Sequence, residues 1–231
     1  MAALRVVAVV VAAAVGAGAA PAGGGIAELE RLATSRKVVA LTFDGGGNDA
    51  GAPGILRVLK RNAVPATFFL TGHFVRTYPR LARTIGKSFV VGNHTINHLH
   101  LTSLSSADVA HEIAGAATMI ERATGRDTHP LFRFPYGDRD ARTLAICHRL
   151  GYVSIRWTVD TLGWMGEPSQ TPAGAVRRVV GNLTPGEIVL MHVGSAANGT
   201  TVDTLALPGV IRAVRARGYR FVAITGVRGP R

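Results

Sequence analysis

Two histidines four residues apart, in Gly92-Asn93-His94-Thr95-Ile96-Asn97-His98, follow directly on the apolar run Ser88-Phe89-Val90-Val91. On one turn of helix or in a tight loop, that spacing aims both rings at one point. Neutral imidazole is a common ligand for zinc and similar ions. Such a pair becomes a reaction centre when a carboxylate, a proton acceptor and a proton donor stand beside it. The chain carries candidates for each. Val39-Ala40-Leu41-Thr42-Phe43-Asp44-Gly45-Gly46 sets Asp44 just past an apolar run, with glycines that allow close approach. Leu131-Phe132-Arg133-Phe134-Pro135-Tyr136 embeds Arg133 in an apolar stretch. A buried guanidinium needs a carboxylate, and Asp44 would serve. Ile188-Val189-Leu190-Met191-His192 ends an apolar run in a titratable ring. On the residues alone, each has a plainer reading: Asp44 as a turn cap, Arg133 snorkelling to the surface, His192 as a satisfied core residue. His73, His100, His111, His129 and His148 have no comparable setting and are read as surface or structural residues.

The elements that would position these groups follow a repeating pattern of short apolar run, turn and helical segment. Strands are expected at Lys37–Phe43, Ala66–Thr71, Ser88–Val91, Leu131–Phe134, Tyr152–Thr158, Glu187–His192 and Arg220–Thr225. Their near-continuous apolar character suits strands covered on both faces. Helical stripes run through Ile55, Leu56 and Leu59 behind Pro53; through Phe74, Tyr78, Leu81 and Ile85; and through Val109, Ile113, Ala116 and Ile120. Val176, Val179 and Val180 form another stripe, as do Leu207, Val210, Ile211 and Val214. Ser105 with Asp108 resembles a capping box, and Gly151 and Gly218 stand where helices should end. Seven strands alternating with about six helices predict a parallel α/β domain, barrel or doubly wound. In such folds sites lie at the carboxyl ends of strands. Asp44, His94, His98, Arg133, Asp160 and His192 all fall there, so residues scattered through the sequence would meet on one face.

Composition narrows the setting. The 231 residues suit one medium domain, and 47% are apolar, ample for a core. A net charge of +12 favours polyanions, including an anionic cell-wall polymer. The cations are scattered, without a basic run or finger spacing, so nucleic acid is not expected as a partner. Arg5, the apolar run Val6–Val15 and the small residues to Ala20 have the pattern of a secretory signal peptide, cleaved after Ala19. The mature protein is then expected to be secreted or envelope-associated, to lack a stable membrane span and to be a monomer. Residues 20–36 read as a tail and a short lead-in helix, and 37–231 as a single domain. Cys147, the only cysteine, shares an apolar helix face with Leu144 and Leu150 and reads as a buried structural thiol.

Taken in order, Thr42-Phe43-Asp44, His94-Thr95-Ile96-Asn97-His98, Arg133-Phe134-Pro135-Tyr136, Asp160-Thr161-Leu162-Gly163-Trp164 and Leu190-Met191-His192 resemble the motifs of the polysaccharide deacetylases of the NodB-homology type, carbohydrate esterase family 4. The resemblance spans roughly residues 37–225. It implies a distorted (β/α) barrel of about seven parallel strands holding one divalent metal, zinc by preference, with cobalt or manganese as alternatives. His94 and His98 would bind the metal, Asp44 would be the base, Arg133 would orient it and His192 would be the acid. Tyr136 would lend its backbone N–H to the oxyanion, Leu190 would line an acetyl pocket, and Pro135 and Trp164 would complete the substrate site. The implied substrate is an acetylated glycan, an N-acetylglucosamine or N-acetylmuramic acid polymer such as peptidoglycan or a chitin-like oligomer. An O-acetyl xylan esterase and a glycan-binding relative without metal are the alternatives. Two departures stand out. The family's third metal ligand follows the first Asp, where this chain has Gly45; Asp49 in the same loop is the candidate replacement, with Asn48 a weaker one. The second Asp of the Asp-x-x-Asp-Trp element, which tunes the catalytic histidine in relatives, is here Gly163.

Overall fold

The computed structural model describes residues 28–230. The expected signal segment and residues 20–27 of the tail lie outside the described residues. The elements run in the order β1 (Glu28–Leu29), β2 (Val38–Gly45), α1 (Ala52–Arg61), β3 (Thr67–Leu70), α2 (Gly72–Thr77), α3 (Pro79–Ser88), β4 (Val90–Asn93), α4 (Ser106–Thr124), β5 (Leu131–Phe132), α5 (Ala141–Arg149), β6 (Val153–Ile155), β7 (Val159–Asp160), α6 (Pro172–Gly181), β8 (Glu187–His192), α7 (Val202–Ala216) and β9 (Arg220–Val222).

The strands form one sheet in the order β1-β6-β5-β4-β3-β2-β8-β7, with β9 pairing the first half of β2. Every strand pair is parallel. An antiparallel bridge from Arg31 to Glu187 ties the chain after β1 to the start of β8 and draws the sheet round into an incomplete barrel. All seven expected strands occur, and β1 and β7 are additional. The lead-in is not helical where it is described: Glu28 and Leu29 pair with Ser154 and Ile155 as a sheet strand.

Period-two alternation sorts the side chains. Val39, Leu41 and Phe43 of β2 pack outward against helices, as do Val189 and Met191 of β8. Val38 and Ala40, together with Phe69, Leu131, Ile155 and Ile188, fill the interior. The next interior positions toward the carboxyl end are Thr42 and Asp44 on β2, Arg133 after β5, and Leu190 and His192 on β8. The same parity that buries the apolar core therefore brings the polar residues to the mouth of the barrel.

The helices follow their local signals. Pro53 lies in the first turn of α1. Ser105 caps α4, accepting from the backbone N–H of Asp108, and Gly125 ends it in the left-handed conformation. The stripe from Phe74 to Ile85 is carried by two helices, because Pro79 lacks an N–H and its neighbour Tyr78 leaves the helical region (φ −123°, ψ 57°). Phe74 and Ile85 are buried on either side of the break. Gly151 and Gly218 take positive φ just beyond α5 and α7. Cys147 is a free, buried thiol, and burial pushes its ionisation up, away from nucleophilic use.

Phe43 is fully buried and stacks on Phe68 with ring centroids 5.1 Å apart, one residue before the site begins. Phe43→Ala should cost about 3–5 kcal/mol, read as a lower urea midpoint with an unchanged slope.

Candidate active site

Asp44, His94, His98, Tyr136, Trp164 and His192 line one cleft of about 430 Å³ at the barrel mouth. Its base is a buried ion pair. Arg133 has no exposed surface and donates from Nη1 to Asp44 Oδ1 at 2.7 Å. The same Nη1 reaches Thr42 Oγ1 (2.9 Å), Nε reaches the Ile155 carbonyl (3.1 Å) and Nη2 the Arg156 carbonyl (3.3 Å). The guanidinium lies over the Phe69 ring, 4.1 Å from its centroid. Burial works to raise the Asp44 pKa. The attraction of Arg133, with His94 and His192 adding to it, outweighs burial and holds the carboxyl below the usual aspartate range.

The histidine pair sits in a tight loop after β4, not on a helix. Its rings stand 4.7 Å apart at 72°. Two residues of that loop, Thr95 (φ 69°) and His98 (φ 59°), hold left-handed backbone without being glycine. Such strain persists only where surroundings over-determine it. Here Thr95 N–H donates to Asn93 Oδ1 (3.0 Å) and His98 N–H to Thr95 Oγ1 (3.0 Å). Glu112, a buried acid on α4, accepts from the backbone N–H groups of Ile96 (3.0 Å) and Asn97 (2.9 Å), and from Asn97 Nδ2 (2.7 Å).

His94 Nδ1 lies 2.7 Å from the Arg133 carbonyl oxygen. A carbonyl only accepts, so Nδ1 carries the proton and Nε2 presents a lone pair. That Nε2 is buried, has no hydrogen-bond partner among the described residues and lies 3.4 Å from Asp44 Oδ2. Burial keeps His94 neutral, its pKa below the ordinary imidazole value despite Asp44. Two acceptors thus face each other across an interior gap, an arrangement that a cation satisfies. Burial, with repulsion from His94, also lowers His98 to about 4, so both rings are free bases at neutral pH. The donor chemistry of this pair fits a divalent metal. Among the described residues no group of three or more His, Cys, Asp or Glu side chains is arranged to close around one.

Asp49 does not line the cleft. Asn48 does line it, but its Oδ1 already accepts from the N–H groups of Ala50 (3.1 Å) and Ser195 (2.9 Å), tying two loops together. Position 45 offers no route to a ligand either. A Cβ on Gly45 would come within 2.9 Å of Leu70 Cδ2 and 3.1 Å of Val193 Cγ2, in apolar packing.

His192 ends β8 and faces the pair. Its Nδ1 lies 3.2 Å from Asp203 Oδ2, which also accepts from the His192 backbone N–H at 2.7 Å. Burial lowers the His192 pKa; the bond to Asp203 and the charges of Asp203, Asp44 and Asp160 raise it further, leaving it above 6.5. Leu190 is buried one interior layer beneath His192 and is not a wall of the cleft. Pro135 is buried in a 3-10 turn, where Tyr136 adopts φ 59° and is 61% exposed. Trp164 is 55% exposed and donates from Nε1 to Asp160 Oδ2 at 3.3 Å.

Several contributors were not anticipated. His73, Thr71, Asn97, Gly194 and Ser195 line the cleft. His100 is exposed, as expected of a surface residue, and from the rim it stacks on Tyr136 at 4.1 Å and lies 2.9 Å from Asp138 Oδ2. Their signal was proximity to strand ends: His73 follows β3 by three residues, and His100 follows His98 by two.

Comparison with known proteins gives this geometry its context. The polysaccharide deacetylase family matches residues 31–155, more than half of the chain. The chain belongs to the polysaccharide deacetylase family. It is 30% identical to a peptidoglycan-N-acetylmuramic acid deacetylase of Bacillus subtilis, covering 83% of this chain and 71% of that one. It is 28% identical to a chitooligosaccharide deacetylase of Azorhizobium caulinodans, covering 84% and 96%. In structure it is similar to a pseudoenzyme of the family from Bacillus anthracis (TM-score 0.77, 32% identity, 86% of this chain and 67% of that one), of which a mutant has restored enzymatic activity. As a polysaccharide deacetylase family member it has the expected barrel of parallel strands with surrounding helices.

Arg133→Met should cost about 3–5 kcal/mol at neutral pH, because Asp44 is left charged and buried without its partner. In the wild type the depressed Asp44 pKa gives stability that is present above the ordinary carboxyl value and is lost as pH falls through the folded value. In the variant, burial is opposed only by His94 and His192, so the Asp44 pKa moves up from its wild-type value, and acid protonates Asp44 and relieves the defect. Urea unfolding should therefore show the wild type–variant gap narrowing as pH falls from 7 to 4.

Proposed function

We propose that this protein is an exported, metal-dependent N-deacetylase of a polymer containing N-acetylglucosamine or N-acetylmuramic acid, with peptidoglycan the favoured substrate. The observation that carries the reading is the buried Nε2 of His94, without a hydrogen-bond partner among the described residues, facing Asp44, with His192 held by Asp203 across the same cleft. Peptidoglycan is favoured by the names of the relatives and by the net charge of +12, which suits an anionic envelope. No described helix is long and apolar enough to cross a membrane.

His94 and His98 would hold the divalent ion, zinc by preference, whose Lewis acidity would polarise the acetyl carbonyl and ease ionisation of the attacking water. The chain's own residues do the rest. Asp44, kept ionised by Arg133, takes the proton of the attacking water. The backbone N–H of Tyr136 stabilises the oxyanion. His192 delivers its Nε2 proton to the departing amine nitrogen, without which the C–N bond does not break readily. Its Nδ1, turned to Asp203, leaves Nε2 as the atom presented to the cleft. Tyr136 and Trp164, the exposed aromatics of the rim, offer flat faces to sugar rings.

A second reading is a glycan-binding protein that has lost its metal. The missing three-donor group among the described residues and the likeness to a pseudoenzyme favour it. Metal content and acetate release separate the two. The purified protein should carry about one divalent ion per chain and release acetate from N-acetylchitooligosaccharide or peptidoglycan more readily than from acetylxylan. Chelation should abolish turnover and added zinc restore it. A metal-free, inert protein that still binds wall polymer would support the second reading.

The pH profile of turnover should be bell-shaped. Asp44 must be ionised, and its lowered pKa sets that requirement in the acid range. His192 must be protonated, so activity should fall as pH rises through a value above 6.5. Asp44→Asn and His192→Ala should each lose about 10²-fold or more in kcat with the fold intact by circular dichroism. Near-normal turnover by either variant would remove its assigned role.

A further inference from the structure

We propose that Asp203 is the positioning residue of His192, standing in the space that a side chain at position 163 would fill, so that Gly163 and Asp203 form one interchangeable unit. The inference rests on the catalytic role assigned to His192 above. Gly163 opens a 3-10 turn after β7, and its φ is not among the positive ones, so the backbone does not demand glycine there. The demand is steric. A Cβ at 163 would fall inside 3.0 Å of Asp203 Cγ and of both its carboxylate oxygens. Any larger residue at 163 must expel the Asp203 carboxylate.

Asp203 has the attributes of a positioning group. It is 3% exposed, sits in the first turn of α7 and accepts through Oδ2 from both the backbone N–H and Nδ1 of His192. Its Oδ1 is buried with no hydrogen-bond partner among the described residues. Its hydrogen-bond partners among the described residues are both on His192. Two contacts from one oxygen, one to backbone and one to ring, fix the ring's rotation as well as its tautomer. The other charged or titratable groups facing His192 are Asp44 on β2, Asp160 on β7, and His94 and His98 after β4. Asp203 is the one hydrogen-bonded to the ring. In the family pattern the carboxylate comes from the strand-end turn; here it comes from the helix that packs on that turn. The departure at Gly163 is then a relocation of the charge.

The test uses the full-length protein and two readouts. NMR titration of the His192 ring in metal-free protein measures the pairing directly; the pH profile of acetate release measures its use. Asp203→Asn keeps an acceptor for the backbone N–H but removes the charge. It should lower the His192 titration midpoint and the alkaline limb by about one pH unit or more, and kcat at pH 7 by about 10- to 100-fold. Gly163→Asp alone should lose at least about tenfold in kcat, because two carboxylates compete for one space. Gly163→Asp combined with Asp203→Ser should recover to within about tenfold of wild type and exceed Asp203→Ser alone. An unchanged His192 titration in Asp203→Asn, full activity of Gly163→Asp alone, or a double variant no better than Asp203→Ser would each overturn the proposal. Absence of acetate release by the wild type would defeat the deacetylase reading instead, and the titration would still decide the pairing.

Discussion

The barrel mouth is organised by one buried charge pair. Arg133 places a guanidinium where no water reaches it, and a single uncompensated charge there would cost several kcal/mol. The cost is offset by the Phe69 face from β3, the Thr42 hydroxyl and Asp44 from β2, and two carbonyls at the end of β6. Those partners exist only when β2, β3, β5 and β6 stand in register. The ion pair therefore reports that the sheet has closed correctly, and it fixes Asp44 in the ionised state at the point where the cleft begins. The Arg133 carbonyl extends the same control to His94 by holding the proton on Nδ1. One residue thus sets the charge of the carboxylate and the tautomer of the neighbouring imidazole.

What could be read from the sequence followed from periodicity. Near-continuous apolar runs marked the strands, and Asp44 stood out as the carboxylate directly past one of them, whereas the outward Phe43 and the inward Asp44 were told apart only by the fold. The convergence of Asp44, Arg133 and His192 followed from the rule that parallel α/β sites gather at strand carboxyl ends. What could not be read depended on contacts between elements remote in sequence. Glu112 looks like an ordinary polar residue on an amphipathic helix, yet it supports a strained loop whose residues are 15 and 16 positions away. Asp203 lies eleven residues beyond His192 across an irregular loop, and nothing local marks it as that histidine's partner. Asp49 had the right chemistry and the right loop, but the loop turns it away from the cleft walls. Strands β1 and β7, two residues each, are too short to leave a periodic signature.

The two departures from the family pattern have different physical meanings. At Gly163 the missing carboxylate is matched by another carboxylate in the same volume. At Gly45 nothing comparable occurs: the space is filled by Leu70 and Val193, and Asn48 is bonded elsewhere. A metal centre here, as proposed, would therefore be built around two imidazoles and the nearby Asp44, with solvent as the remaining source of donors. A weaker hold on the ion than a three-side-chain site would give is the physical consequence. The family includes a pseudoenzyme of which a mutant has restored activity, so sequence changes can separate silent from active members on this fold.

The decisive measurement is an anomalous difference map from crystals equilibrated with zinc, recorded at the zinc absorption edge. The account predicts a single strong peak within bonding distance of His94 Nε2 and of the His98 ring, beside Asp44 Oδ2. An empty cleft at saturating zinc, with His94 Nε2 bonded to water or to a side chain, would contradict it.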